Sequence, residues 1–214
     1  MFEPIRFPGY LPYYSQIGTL DLAEPIFSEK FDPIHDPGWR SLGADSPEQY
    51  AHWVMRACGI VCVKMCAEGF GKTRRTVHEW IRLGLKNNAY LIREENGKIE
   101  ERGWIHKSLA DLLNAEGLIS QAMPASLPEI CEFVRAGKLF IASVSYQLGT
   151  RFPVTFKGGH LVVVHGADVH DGVPEKVILH NPSGRYPELQ ANAVIPAERF
   201  LSAYTGRGIL VEKP

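Results

Sequence analysis

The sequence predicts a single α+β domain, in which a helical N-terminal part with a buried central helix packs on a C-terminal antiparallel sheet. Helical periods dominate residues 46–137, whereas short Val- and Ile-rich runs separated by Gly and Pro dominate residues 138–214. Helices that precede strands, rather than alternate with them, favour α+β over a βαβ arrangement. With 214 residues and a hydrophobic content of 45%, the chain can form one substantial core.

The first 50 residues are rich in proline. They hold seven of the fifteen prolines, which would interrupt any long helix. We therefore predict that residues 1–50 form extended chain with turns, wrapped over the rest of the domain.

The helical part begins at "SPEQYAHWVM", where Ser46 can cap a helix whose first position is Pro47. The next stretch, "CGIVCVKMC", is apolar on nearly every side except at Lys64, which is typical of a buried central helix. Three later segments also have helical periods or caps: "TRRTVHEWIRLGL", "SLADLLNAEG" and "SLPEICEFVRAG". Residues 46–137 are therefore expected to be mainly helical.

The last third of the chain predicts strands. "LFIASVSY", "HLVVVHGADV", "KVILHNP" and "GILVEKP" are short, rich in Val and Ile, and separated by Gly and Pro, which favours an antiparallel sheet. "PAERFLSAY" predicts a short helix before the last strand. Earlier in the chain, Asn96-Gly97 lies between two short runs and predicts the tight turn of a separate hairpin.

Composition excludes several classes of protein. A net charge of −1 gives no support for nucleic-acid binding or for attraction to an anionic membrane. No run approaches 18 apolar residues, so no membrane-spanning helix is expected. Glu3 and Pro4 stand where a signal peptide would be basic and then apolar, so we expect a cytoplasmic protein with free thiols and no cofactor.

Three of the four cysteines, Cys58, Cys62 and Cys66, recur at i, i+4 and i+8 in the apolar helix. A structural zinc site usually takes cysteines two to four residues apart and a second pair elsewhere, but only Cys131 remains. Spacing on one face of an apolar helix is more typical of core packing, so no metal site is predicted.

Cys58 differs from the other two because Gly59 follows it and because it lies where a polar helix meets the apolar one. If the chain turns near Arg56-Ala57, Cys58 begins the central helix. Unpaired N–H groups and the helix dipole at that end stabilise a thiolate, which makes Cys58 a candidate nucleophile. A lone Cys-Gly is nevertheless more often structural.

A cysteine nucleophile needs a base, and "FKGGHLVVVHGADV" places His160 at the start of a strand, after two glycines that allow close backbone approach. Asn181 ends the next strand. If the two strands pair through "HDGVPE", Asn181 lies beside His160 and can orient its ring. His165 is expected on the opposite side of the sheet. Each histidine alone is more often structural, and Asn181 can also be a turn residue before proline.

The oxyanion of an acyl-transfer reaction needs hydrogen-bond donors. The backbone N–H of Cys58 is one candidate, and the side-chain amide of Gln16 or Gln49 is the other. Gln16 is preferred because its extended segment could lie across a cleft, whereas Gln49 is expected on the solvated face of a helix. Spacing alone does not decide between them.

Five segments together carry a resemblance to a known family. "LPYYSQ", "HDPGWRSLGADSPEQYAHWVMRACGIVCVKM", "GGHLVVVHGAD", "ILHNPSG" and "AERFLSAYTGRGILV" resemble papain-like cysteine peptidases of the bacteriocin-leader-processing, double-glycine type. The likeness runs from about residue 11 to 212 and is strongest to free-standing members, which lack the fused transporter. It implies a papain-like fold with Cys58 as nucleophile, His160 as base, Asn181 as orienting residue and Gln16 as oxyanion donor.

Two departures from the family pattern stand out. The family's glutamine usually lies close before the cysteine, whereas 42 positions separate Gln16 from Cys58, so residues 17–45 are expected to be an insertion. Many relatives have aspartate where Asn181 stands, and a neutral amide stabilises an imidazolium less than a carboxylate does.

The function implied is a cysteine-dependent hydrolase that cleaves a peptide or amide bond through an acyl-enzyme. The related leader peptidases cut after paired glycines. Two alternatives remain open: an acyl or amide transferase, which uses the same acyl-enzyme, and a non-catalytic peptide-binding module on the same fold.

Overall fold

The protein is described by a computed structural model over residues 1–95 and 98–214, with side chains described outside residues 93–102. The turn predicted at Asn96-Gly97 lies outside the described residues. The strands on either side of it, β2 and β3, pair antiparallel as a separate two-stranded sheet.

The helices and strands follow the predicted order, helices first and most strands last. The α-helices are α1 (Ala23–Phe27), α2 (Pro47–Val54), α3 (Cys58–Gly69), α4 (Val77–Lys86), α5 (His106–Ala115), α6 (Leu127–Arg135) and α7 (Ala197–Ala203). The strands are β1 (Phe2–Arg6), β2 (Tyr90–Glu95), β3 (Lys98–Trp104), β4 (Ile119–Pro124), β5 (Leu139–Ser145), β6 (Gly159–His170), β7 (Val173–His180), β8 (Ala193–Pro196) and β9 (Tyr204–Glu212).

Within the described residues, the main sheet has seven antiparallel strands in the order β4-β9-β5-β6-β7-β8, with β1 added to β6. The long strand β6 organises this sheet. Its first half pairs with β5 and its second half with β1, while β7 runs along its other edge. β6 and β7 form a hairpin whose turn, Asp171-Gly172, has positive φ at both residues, as a tight turn between twisted strands requires.

Helices cover both faces of the sheet. One face packs against α3, α4 and α5, and the opposite face packs against α6 and α7. Successive residues of β5 divide between the two cores: Leu139 and Ile141 face the first, and Phe140 and Ala142 the second. This alternation follows from the two-residue period of a strand. The predicted α+β class, with a buried central helix on an antiparallel sheet, is confirmed.

The prediction for residues 1–50 needs correction. β1 joins the main sheet, where Pro4 is tolerated because β1 pairs on one side only. Residues 17–45 contain α1 and three short 3₁₀ turns, and with α2 they enclose a small apolar cluster of their own. Pro33 begins one of these turns, capped by Asp32, because proline fits the first position of a helix as well as it breaks a later one.

The prediction for residues 46–137 also missed a strand. β4 pairs with β9 at the edge of the main sheet. Most of its residues are partly or fully exposed, so the apolar alternation that marks a strand in a sequence is weak there. Among the described helices, none combines the length and the apolar character needed to cross a membrane.

Candidate active site

Cys58 is the first residue of α3, as the sequence predicts. Ser46 caps α2 by accepting from the Gln49 backbone N–H, and α2 ends at Val54. Three residues turn the chain before α3 begins. The Cys58 side chain is half-buried at the edge of the first core, and its sulfur is near the backbone N–H of Leu161 on β6. The thiol therefore lies where the central helix meets the sheet.

Gly59 is needed for a contact that forms one wall of the site. A Cβ at this position would come within 2.9 Å of the Trp104 indole ring. The same indole donates its N–H to the backbone carbonyl of Arg56, at 2.6 Å, just before α3. Trp104 is thus held against the start of the helix that carries Cys58.

His160 is the second residue of β6 and is 5% exposed. The two glycines before it have φ of +88° at Gly158 and +87° at Gly159. A Cβ at Gly159 would meet open space, so close approach is not the reason for that glycine. The reason is the left-handed backbone, which other residues rarely adopt. These dihedrals set the direction in which the chain enters β6.

Asn181 follows β7 and orients the imidazole. Its Oδ1 accepts from His160 Nε2 at 2.8 Å and from the Ser183 backbone N–H at 3.1 Å. The second bond fixes which amide atom is the oxygen, so Nε2 of His160 must carry its proton. Nδ1 is then the basic nitrogen of the neutral ring. Asn181 itself is 1% exposed.

Ser183 is a site residue that the sequence argument missed. Its Oγ lies 2.9 Å from His160 Nε2, so the Nε2 proton is shared between Asn181 and Ser183. The only signal in the sequence is the position of Ser183 in "NPSG", two residues after Asn181. A turn after a proline can fold the side chain back over the residue before it, but the sequence alone does not show that it does.

Gln16 lies close to these residues but is fixed by its own contacts. Its backbone N–H donates to Pro182 at 3.0 Å, and its Nε2 donates to the Val54 carbonyl at 2.5 Å. The side chain is 2% exposed, and its Oε1 has no hydrogen-bond partner among the described residues. Gln16 therefore joins the loop after Asn181 to the end of α2. Gln49, in contrast, is bonded to Asp45 on the solvent side of α2.

Cys58 and His160 both line one cleft, with a volume of about 730 Å³. The cleft runs between the α2–α3 junction, the end of β3 and the sheet. Its described lining residues are His52, Met55, Arg56, Cys58, Tyr90, Gly103, Trp104, His106, Ser143, Gly159, His160, Leu161 and Arg207.

Burial is the largest influence on the pKa values of Cys58 and His160. It raises the pKa of the Cys58 thiol to about 11, although the backbone N–H groups of Leu161, Gly59 and Cys58 oppose the shift. It also lowers the pKa of His160 to about 4, although the hydrogen bond that His160 donates to Asn181 opposes this shift. The sequence predicts that the helix end lowers the pKa of the Cys58 thiol. This prediction is wrong, because removal of the thiol from water raises its pKa by more than the backbone N–H groups lower it. The resting pair is therefore a neutral thiol and a neutral imidazole at pH 7.

The other two cysteines of the helix are core residues. Cys62 and Cys66 are fully buried in the first core, and burial raises the pKa of both thiols. Within residues 1–95 and 98–214, no group of three His, Cys, Asp or Glu side chains is arranged to hold a metal ion.

No family model matches the sequence. No curated protein matches it either. The chain is similar to the peptidase domain of Streptococcus ComA, a bi-functional ABC transporter involved in a quorum-sensing pathway. The two share 17% identity and superpose with a TM-score of 0.49, and the match covers 74% of this chain and 93% of that domain. It is also similar to a double-glycine-motif protease from an AMS/PCAT transporter, solved with its leader peptide, with 15% identity, a TM-score of 0.46, and coverage of 75% and 86%.

A third similar structure is the peptidase domain of Streptococcus mutans ComA, with 20% identity, a TM-score of 0.37, and coverage of 53% and 79%. Two of the three structures are peptidase domains and the other is a double-glycine-motif protease.

Proposed function

We propose that the chain is a cysteine-dependent hydrolase that cleaves a peptide or amide bond, with Cys58 as nucleophile, His160 as base and Asn181 as orienting residue. The observation that carries the proposal is the hydrogen bond of 2.8 Å from His160 Nε2 to Asn181. It leaves the basic Nδ1 available on a histidine that lines the same cleft as Cys58. A cysteine, a histidine and an asparagine in these roles form the triad of papain-like peptidases.

The reaction begins from the neutral pair. When the substrate carbonyl reaches Cys58, the thiol proton passes to His160 Nδ1 as the sulfur attacks, because neither group is ionised beforehand. The imidazolium then donates this proton to the leaving amine, and a thioester remains on Cys58. Water, deprotonated by His160, hydrolyses the thioester, and the proton returns to the sulfur. Asn181 and Ser183 hold Nε2 throughout, so the ring keeps its orientation.

The developing oxyanion needs donors beside Cys58. The Cys58 backbone N–H is unpaired within α3, because the first N–H groups of a helix have no partner in the helix. Gln16 is the second donor in this scheme, since Val54 uses only one of the two protons on its Nε2. Loss of one oxyanion donor typically costs roughly 10²–10³ in rate, so Gln16→Ala should be slow but measurable in a kcat assay. Unchanged kcat would remove Gln16 from the scheme.

The test is cleavage of a defined peptide library, read by mass spectrometry of both products and of the protein. Peptides with paired glycines belong in it because one similar structure is a double-glycine-motif protease bound to a leader peptide. We expect a thioester on Cys58 during turnover, and a loss of about 10⁴-fold or more in Cys58→Ala. The matched control is Cys131→Ala, which removes a buried thiol from the opposite face of the sheet.

Three results separate the proposal from its alternatives. Full turnover by Cys58→Ala would contradict it. Peptide binding without cleavage and without acylation of Cys58 would indicate a binding module. If an added amine such as glycinamide captures the acyl group far faster than water does, the protein is a transferase.

A further inference from the structure

An irregular segment of β9 places a cation in the cleft. Ala142 and Val144 of β5 pair with Gly208 and Tyr204, so Ser143 alone faces the three residues 205–207 of β9. Bulges of this kind change the direction of side chains and are frequent beside active sites. Arg207 is the charged residue of the bulge, and its side chain lines the cleft.

Three features of the backbone keep the bulge in place. Thr205 Oγ1 donates to the Ser143 carbonyl at 3.1 Å, and Gly206 has a φ of +82°. A Cβ at Gly208 would lie 2.2 Å from the Ile141 carbonyl oxygen, so glycine is required where the two strands approach again. The position of Arg207 is thus set by backbone geometry on both sides of it.

The guanidinium of Arg207 faces a cleft without a described acid. Among the described residues that line it, none is Asp or Glu, and none of the ion pairs within the described part of the chain uses Arg207. His106 lines the same cleft, and its pKa is lowered by burial and also by the charge of Arg207. Arg207 is exposed to solvent and lines the cleft, so a substrate bound in the cleft can reach its charge.

Strand pairing sets the backbone separation between Leu161, beside Cys58, and Arg207. Leu161, whose N–H is near the Cys58 sulfur, pairs with Ser143 on β5, and Arg207 lies on the next strand. Two strand spacings amount to about 10 Å, which is about three residues of extended chain at roughly 3.4 Å each. A group bound by Arg207 would lie within about three residues of the bond that Cys58 attacks.

We infer that the cleft selects substrates with a carboxylate, carried by an acidic side chain within about three residues of the scissile bond, and that Arg207 binds it. This inference rests on the proposed function and adds the class of substrate to it. Arginine suits the role because its planar guanidinium binds a carboxylate through two hydrogen bonds.

The test uses iodoacetyl peptides, which alkylate Cys58 and need no turnover. Pairs of reagents carry Glu or Gln at one, two or three residues from the reactive carbon, all with C-terminal amides. We expect the Glu reagent of the best pair to label Cys58 about tenfold faster, as for a partly exposed charged hydrogen bond. The Glu-to-Gln ratio, measured within each variant, cancels any change in the reactivity of Cys58 itself.

Substitutions at Arg207 and at a matched cation complete the design. The ratio should fall to about 1 in Arg207→Gln, and Arg207→Glu should instead favour reagents that carry Lys. Lys176→Gln, which removes an exposed cation on β7 outside the cleft, should keep the wild-type ratio. A last reagent carries Gln and a free C-terminal carboxylate. If it labels Cys58 faster than the amidated Glu reagent does, the cleft binds a chain-end carboxylate, and the assignment to an acidic side chain is overturned.

The two proposals can fail separately. Equal labelling by Glu and Gln reagents in the wild-type protein would overturn the carboxylate preference and leave the hydrolase proposal untouched. No labelling of Cys58 by any reagent would overturn both, because the thiol would then not be accessible to a substrate. Preserved Glu preference in Arg207→Gln would overturn the role of Arg207.

Discussion

His160 and His165 are both buried on β6, five residues apart, but they have different surroundings. His160 donates Nε2–H to Asn181 and Ser183 and lines the cleft with Cys58. His165 contacts the His180 ring, with centroids 4.4 Å apart and the ring planes tilted by 52°, and its buried Nε2 has no hydrogen-bond partner in the described part of the chain. Burial lowers the pKa of both, to about 4 and about 3. A perturbed pKa therefore does not distinguish a candidate base from a packed histidine, but hydrogen bonding and access do.

The same substitution at both positions tests whether only His160 is needed for activity. His160→Gln should lower kcat/KM by about 10³-fold or more, because the general base and the acid for the leaving amine are lost. His165→Gln should stay within about threefold of the wild-type protein, because His165 does not line the cleft. Steady-state kinetics on one peptide substrate measures both, and a large loss in His165→Gln with an unchanged melting temperature would contradict the division.

Asn181 gives the next largest effect. Asn181→Ala should lower kcat/KM by about 10- to 100-fold, because the ring of His160 loses the partner that orients it. Asn181→Asp should keep more activity and move the acid limb of the kcat/KM profile to higher pH, because a carboxylate raises the pKa of the neighbouring imidazole. The pH profile is the deciding measurement, since a merely structural role for Asn181 would not shift that limb.

His160 and His165 should both contribute to the loss of stability at acid pH. Below pH 6.5 the unfolded chain binds protons on both imidazoles and the folded chain does not, so the free energy of unfolding falls as pH drops from about 6.5 to about 4. Each ring contributes at most about 1.4 kcal/mol per pH unit in this window. Urea unfolding between pH 4 and 7 measures the slope, which should become shallower in His160→Gln and in His165→Gln.

A slope that keeps its wild-type value in both variants would mean that other groups cause the acid sensitivity.

The sequence predicts the local features of this site better than the features that depend on tertiary packing. The cap at Ser46 and the junction before Cys58 follow from helix signals, and the pairing of His160 with Asn181 follows from a hairpin joining two clear strands. These features depend on residues close in sequence or on one register. The sequence could not give the balance between burial and the helix end at Cys58, because burial depends on the whole assembled core.

The strands that were missed have a common physical cause. β1 and β4 both extend the main sheet with many exposed residues, so their apolar pattern is weak in the sequence. The short helices of residues 17–45 were missed for another reason. Among the prolines of residues 1–50, only Pro47 has a clear capped helix after it in the sequence, so the earlier prolines predict breaks, although Pro33 begins one of these helices. Ser183 could not be found at all, because its role depends on how the turn after Asn181 folds.

Substitution of Ser183 should have the smallest effect on kcat/KM of the site substitutions. Ser183→Ala removes one of two acceptors at His160 Nε2, while the bond of 2.8 Å to Asn181 remains. We expect a loss of about three- to tenfold in kcat/KM, as for a typical single hydrogen bond with a surviving alternative. In a double-mutant cycle with Asn181→Ala, the combined loss should exceed the product of the single losses, since Nε2 then has neither acceptor. Strictly multiplicative losses would show that Ser183 and Asn181 act on His160 independently.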